Sequence, residues 1–293
     1  MPEGHTLHRL AAHFTKHYAG ARLRVTSPQG RFTEGARRLD GRTLLESEAH
    51  GKQLFLGFDS GAWLRVHLGL YGAWTFGDAR GEEYLGAPRA QAGRERDLER
   101  DAEGFVIPPP PVGAVRVRLV SAAGWADLRG PSVCEVRTEE EKHAAQAKLG
   151  PDPLRCDADP ERAWLMIQRS RTAIAALLMR QDVLAGIGNI YRAESLFRSG
   201  IDPYRPGRDL ARHEWDELWS DLVALLQAGV DSGAIVTTRP VHRHDPRAQP
   251  VPRGDALYVS YRTGEPCRIC ATGIRAGDLA GRTLYWCPNC QRG

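Results

Sequence analysis

Four of the chain's six cysteines form two CxxC pairs near its C-terminus. CRIC carries Cys267 and Cys270, CPNC carries Cys287 and Cys290, and sixteen residues separate the inner members. Each CxxC turn aims two sulfurs at one point, and two such turns at this spacing match a closed tetrahedral four-thiolate zinc site. The spacing predicts one structural Zn2+ per chain, with no coordination position left open for catalysis. A terminal module of about forty residues cannot bury a core of its own, so the ion would supply its folding energy. Thiols used for metal rather than for a disulfide framework fit a reducing compartment, the cytoplasm. The remaining Cys134 and Cys156 read as small buried or surface thiols.

The 293 residues allow more than one domain and a proper apolar core. No run of about 18 apolar residues exists, which argues against a membrane partner, and the first residues hold no apolar stretch of the export-signal kind. The net charge of +4 is uneven. From Arg239 onward there are nine arginines and four acidic residues, so that segment carries +5 and the rest of the chain −1. A basic end suggests an anionic partner.

The hydrophobic period changes along the chain. Over residues 6–20, Leu7, Leu10, Ala11, Phe14 and Tyr18 recur at helical spacing, with Thr6 a cap and Gly20 a stop. Alternation then takes over in Leu54, Leu56 and Phe58, in Leu64, Val66, Leu68 and Leu70, and again over 114–120. Residues 1–130 therefore read as a helix plus a β-rich sandwich or barrel, interrupted by a charged, solvated loop over 89–104. From residue 139 the pattern is helical: Asp159 and Pro160 open one helix as N-cap and N1, TAIAALLM gives another, IYRAESLFRSG ends at Gly200, and Trp215, Leu218, Leu222, Leu225 and Leu226 line a further apolar face. Residues 238–255, with four arginines and no periodicity, read as a connecting loop. The expected class is α+β, with boundaries at 2–130, 131–250 and 251–293.

Two short stretches raise chemistry. In MPEGHT, removal of the initiator methionine would leave Pro2 with a secondary amine, whose pKa is nearer about 8 than the lysine value of about 10.4. A fraction of it is then an uncharged nucleophile at neutral pH. In LAGIGNIYRAE, a tight turn at Gly186-Ile187-Gly188 leads into a helix opening at Asn189, a geometry whose free N–H groups suit a phosphate. By spacing alone, glycines that only permit the turn explain it equally well. His5, His8, His13 and His17 lie along the first helix, but no carboxylate completes a metal set.

Taken together, MPEG, the segment 178–203, GEPCRIC and the second cysteine pair resemble the formamidopyrimidine-DNA glycosylase and endonuclease VIII family, over the whole chain and in the same order. The resemblance implies a bifunctional base-excision repair enzyme, a DNA glycosylase that also cleaves at abasic sites through a Schiff base. It implies a catalytic β-sandwich, a helix–two-turn–helix domain that binds DNA, and a C-terminal zinc finger, acting as a monomer on damaged DNA. Pro2 matches the family's nucleophile and Glu3 the adjacent proton-handling glutamate. Lys52 matches the β-hairpin lysine, Asn189 the asparagine that grips phosphate, and Arg282 the finger arginine that holds phosphate. The chain has four lysines against 36 arginines, so a lysine at that one spot is informative.

A flipped base leaves a gap that must be filled, and Leu70 and Tyr71 in HLGLYG are candidates for the wedge. MPEG and the Leu-Tyr pair look more like the endonuclease VIII branch, which favours oxidised pyrimidines, than the branch that removes oxidised purines. Two readings from other classes compete: a non-catalytic zinc-finger DNA-binding protein, and a tautomerase-like enzyme using Pro2 as base. The first leaves Pro2, Glu3 and Lys52 unexplained; the second leaves the cysteines so.

Overall fold

The computed structural model describes residues 2–78, 81–85 and 99–292, which divide into two units, Met1–Lys148 and Leu149–Gly293. The expected loop over 89–104 falls outside the described residues up to residue 98. The first unit opens with α1 (Gly4–Tyr18) and continues through β1 (Arg24–Thr26), α2 (Thr33–Leu39), β2 (Leu44–His50), β3 (Gln53–Phe58), β4 (Ala62–His67), β5 (Ala73–Asp78), β6 (Gly81–Leu85), β7 (Val115–Val120), β8 (Gly124–Arg129), β9 (Val133–Thr138) and α3 (Glu139–Gln146). The strands form two antiparallel sheets, ordered β1-β7-β8-β5-β6 and β2-β3-β4-β9. Their inward residues make one core with the apolar stripe of α1. Phe14 packs edge-on against Trp74 at 5.0 Å and against Phe76 at 5.2 Å.

β3 is buried along its whole length, although only Leu54, Leu56 and Phe58 face that core. The other face is covered too. Gly57 has no side chain because a Cβ there would meet the Trp63 ring at 2.9 Å. Over that ring, 3.7 Å from its centre, lies the ammonium of Lys142 from α3, which is itself buried and ion-paired to Glu48. Removing Glu48 would leave the buried Lys142 ammonium without its ion-pair partner, a cost of about 3–5 kcal/mol.

This packing moves the first expected boundary. Residues 131–148 belong to the sandwich unit, because β9 pairs with β4 from Ala62↔Thr138 to His67↔Val133 and α3 docks on both strands. The first helix also starts earlier than expected. It begins at Gly4 with Glu3 in the cap position, and Thr6 donates its N–H to the Glu3 carbonyl instead of capping.

The second unit contains α4 (Pro160–Ile167), α5 (Ile174–Leu177), α6 (Asn189–Arg198), α7 (Arg212–Ser232) and the hairpin β10 (Arg275–Leu279) and β11 (Arg282–Trp286). Asp159 accepts from the Glu161 N–H and Pro160 follows at the first helical position, as the sequence predicts. TAIAALLM contributes only the four residues of α5, since the chain tightens into i→i+3 bonds at Met179 and Arg180. α7 ends on Gly233 in the left-handed conformation, φ 73°. The terminal hairpin is not an independent module. Leu284 is fully buried in the core formed by the helices, and Trp286 packs on it.

Burial in the first turn of α1, reinforced by the positive amino terminus, Arg9 and His8, holds the His5 pKa down to about 4 from 6.5. The unfolded chain therefore binds the extra proton between those values. The stabilisation, about 3 kcal/mol at most, is complete above pH 6.5 and is lost as pH falls towards 4. Hydrogen-exchange protection of α1 should drop across that window in the native chain and stay flatter in His5→Gln. An unchanged native profile from pH 7 to 4 would contradict it.

Candidate active site and nucleic-acid interface

The amino end of the first unit is packed down. Pro2 is buried and Glu3 is wholly so, with Glu3 extended at φ −121° and ψ −178° ahead of the helix. Proline suits this place because a residue before a helix needs no N–H for the helical ladder. The apolar stripe of α1 and the Ser47 hydroxyl, which donates to the Ala11 carbonyl at 2.6 Å, fasten the helix to the sandwich. A secondary amine at Pro2 would thus belong to a buried segment that also carries Glu3 and His5.

Lys52 lies at the tip of the β2–β3 hairpin, one residue before the strand on which the sequence placed it. His50 pairs with Gln53, so Gly51 and Lys52 are a two-residue loop, and Gly51 at φ 60° supplies the first position of a type II′ turn. Half-buried Lys52 acts electrostatically on His67, whose pKa is lowered first by burial and then by Lys52 and Arg65. The His67 Nδ1 accepts from the Gly69 N–H at 3.0 Å and lies 2.8 Å from the Ser132 Oγ. His67 thereby anchors the next turn, which carries Leu70 and Tyr71. These are exposed by 56% and 87%, so they are not core residues. The turn is tightly drawn: a Cβ on Gly72 would stand 2.2 Å from the Leu68 carbonyl.

In the second unit, Gln181 shapes the two-turn segment. Its Nε2 donates to the carbonyls of Met179 and Ile187, and its Oε1 accepts from the Gly186 N–H. Asn189 opens α6, and its Nδ2 donates to the Thr283 carbonyl at 2.8 Å. Arg192, one turn along, donates to the Asn189 Oδ1 and to the same carbonyl. Leu279 pairs with Arg282, so Ala280 and Gly281 form a tight loop with φ 54° and 73°. Exposed Arg282 follows it directly, next to Thr283. Asn189, at the N-terminus of α6, is therefore linked through Thr283 to the strand residue next to exposed Arg282.

The four CxxC sulfurs lie within 4.8 Å of one another, with Cys267–Cys290 at 3.8 Å and Cys270–Cys287 at 3.5 Å. Zn–S bonds of about 2.3 Å set tetrahedral sulfur separations near about 3.8 Å, so the donor set fits a metal ion. Backbone N–H groups of Ile269 and Cys290 point at the sulfurs of Cys267 and Cys287, at 3.4 and 3.5 Å. A hydrogen bond from Thr272 holds the Cys270 thiol down to about 5, while burial pushes Cys267 and Cys290 up. Cys134 is half-buried, its thiol pushed up to about 12 by burial, and Cys156 is exposed.

Sequence reading missed three residues. His67 was visible only as the histidine of HLGLYG. Arg192 stands three places after Asn189, a spacing that puts both on one helix face. Glu194, fully buried on α6, accepts the N–H groups of Tyr258, Val259 and Ser260 and the Thr237 hydroxyl. No motif signals it.

The family model described as the formamidopyrimidine-DNA glycosylase N-terminal domain matches residues 1–102, and that of the formamidopyrimidine-DNA glycosylase H2TH domain matches residues 149–240. The chain is 46% identical to "Endonuclease 8 1" of Mycobacterium tuberculosis strain H37Rv, over 99% of this chain and 100% of that one. It is 32% identical to "Probable endonuclease 8 2" of Streptomyces coelicolor, over 100% and 95%. It is 30% identical to "Formamidopyrimidine-DNA glycosylase" of Thermomicrobium roseum, over 87% and 84%. Among solved structures, Lactococcus lactis Fpg in complex with abasic-site DNA has the same fold, with a TM-score of 0.73 over 99% of this chain and 100% of that one, at 20% identity. The chain belongs to the formamidopyrimidine-DNA glycosylase and endonuclease VIII family.

Proposed function

We propose that this chain is a bifunctional DNA glycosylase and AP lyase of base-excision repair, acting as a monomer on damaged DNA in the cytoplasm, with oxidised pyrimidines as its preferred lesions. The observation that carries the reading is the buried pair Pro2–Glu3, fixed at the head of a helix whose stripe is part of the sandwich core. Once Met1 is removed, the Pro2 lone pair forms a bond to C1′ of the sugar as the bond from C1′ to the base breaks, and the departing base takes up the proton that the alkylated proline nitrogen loses. Glu3 passes a proton to the sugar ring oxygen as the ring opens, giving the iminium. Loss of a C2′ proton then expels the 3′ phosphate, the β-elimination, and δ-elimination is the further step. Lys52, at its hairpin tip, supplies a cation to the sugar-phosphate in this reading.

The first unit is the catalytic one, and the second grips the DNA. Asn189 and Arg282 hold phosphate, while Leu70 and Tyr71, projecting from their turn, fill the space a flipped base leaves. The four cysteines hold one zinc ion, which keeps the finger folded and takes no part in the reaction. The endonuclease 8 relatives and the MPEG opening favour pyrimidines. Matches to formamidopyrimidine-DNA glycosylases keep oxidised purines as the second reading.

An oligonucleotide duplex with a single abasic site should be cut at that site, and duplexes with thymine glycol or 5-hydroxycytosine should be processed faster than one with 8-oxoguanine. In Leu70→Ala, excision from a lesion duplex should slow by roughly tenfold more than cutting at a pre-formed abasic site, where no base has to be extruded. Equal losses on the two substrates would mean the leucine supports the fold. An intact abasic strand after prolonged incubation would defeat the enzymatic reading as a whole.

Cys287→Ser removes one thiolate from the closed set. Metal analysis should find one zinc per native chain and almost none in the variant. Duplex binding should fall, while the thermal transition of the first unit stays where it was. Full zinc content in the variant would refute the ligand assignment.

A further inference from the structure

The four-stranded sheet of the first unit ends at β9, which pairs with β4 on one side and, among the described residues, with no strand on the other. In an antiparallel pair, half of a strand's N–H and C=O groups face its neighbour and half face away. Those of Val133–Arg137 that face away from β4 have no hydrogen-bond partner among the described residues. Folded proteins usually cover such an edge, or blunt it with a bulge, a proline or a free charge. β9 shows none of these. Its register with β4 is unbroken from Ala62↔Thr138 to His67↔Val133, it contains no proline, and its two charged side chains are ion-paired, Glu135 with Arg65 and Arg137, and Arg137 also with Glu141.

Beside this edge runs a groove of about 390 Å³, lined by Cys134, Glu135 and Val136 of β9 and by Arg31, Phe32 and Arg38 at the two ends of α2. Its floor is apolar. Cys134 and Val136 pack against the sandwich core, and buried Phe32 lies so close on Gly35 that a Cβ there would stand 2.3 Å from its ring. Its flanks are cationic. Arg31 and Arg38 are exposed, and neither guanidinium has a hydrogen bond or ion pair among the described residues. The two carboxylates of the groove are already engaged, Glu34 by Arg37 at 3.3 Å and Glu135 by Arg65 at 2.8 Å. A third guanidinium is close by: burial raises the Cys134 thiol, and Arg116 pulls against that shift.

We propose that the open edge of β9 takes an added strand from a partner protein, an extended segment with apolar side chains at its centre and acidic ones at both ends. The segment's backbone pairs with the open amides and carbonyls of β9. Its apolar side chains lie on Phe32, Cys134 and Val136, and its carboxylates meet Arg31 and Arg38. A nucleic acid satisfies the arginines but offers the edge no ladder of amides. A second copy of this chain, paired edge to edge, would bring like charges together. The surface lies outside the repair site proposed above and uses none of its residues.

The test uses the full chain and a fluorescent seven-residue peptide with a valine–threonine–valine centre and two glutamates at each end. The peptide should bind and shift the amide resonances of residues 133–137 and of α2, leaving those of Asn189 and Arg282 unmoved. Its counterpart with lysines in place of the glutamates should not bind. Methylating the peptide's even-numbered or its odd-numbered backbone nitrogens gives two variants of equal charge. One should lose about tenfold in affinity and the other far less, because only one set of amides faces β9. Arg31→Glu combined with Arg38→Glu should weaken binding by about tenfold or more, with cutting of an abasic-site duplex at the native rate. Absence of binding would overturn the proposal, and so would equal losses from the two methylated peptides, which would mean charge contact without strand pairing. Displacement of the peptide by undamaged duplex would also overturn it, by placing the peptide in the DNA grip. A concentration-dependent dimer of the native chain that masks the amides of 133–137 would give the edge to a second copy instead.

Discussion

The amino end of a chain is ordinarily its loosest part, yet a terminal amine can act as a nucleophile only if it is held still. In this protein the immobilisation comes from hydrophobic burial one to four turns away. Leu7, Leu10, Phe14 and Tyr18 lie on one stripe of α1 and enter the same core as Trp74, Phe76 and the inward residues of both sheets. Fully burying each such side chain contributes about 1.5–3 kcal/mol, so the helix cannot lift off without opening the core. Glu3 and His5 are buried as a consequence. The sandwich also sets where the other proposed site residues stand, because the β2–β3 hairpin and the turn after β4 are continuations of core strands. Lys52 and the Leu70–Tyr71 pair are thus placed by register, with His67 joining the two turns.

The second unit meets a different constraint with a different device. Its terminal segment is too short and polar for a core of its own, and it is attached to α6 at two levels. Asn189 and Arg192 hold the Thr283 carbonyl, and one turn further on Glu194 holds residues 258–260. A buried carboxylate is costly unless its oxygens are satisfied, and here three backbone amides and a hydroxyl satisfy them. Together with the four convergent sulfurs, these bonds give the finger a fixed position relative to the helix that opens at Asn189. Arg282 then stands next to the anchored Thr283.

Much of this was readable in the residues. The cysteine spacing specified a convergent four-sulfur cluster, the stripe from Leu7 to Tyr18 specified a buried α1, and Asp159-Pro160 specified the start of α4, because each depends on local geometry. The position of residues 131–148 was not readable. β9 joins the sandwich through pairing with a strand nearly seventy residues earlier, and its sequence does not announce its partner. Nor could β3 be known to be covered on both faces, since that depends on Lys142 arriving over Trp63. Glu194 was invisible for a related reason, since a lone glutamate in a helix reads as solvated.

The central claim is that Pro2, freed of Met1, forms the covalent bond to the sugar. Sodium borohydride reduces the iminium, and digestion of the trapped complex followed by mass spectrometry locates the attachment. The account predicts a DNA adduct on the nitrogen of an N-terminal peptide beginning at Pro2. Attachment to the side chain of Lys52, or to any other residue, would contradict it.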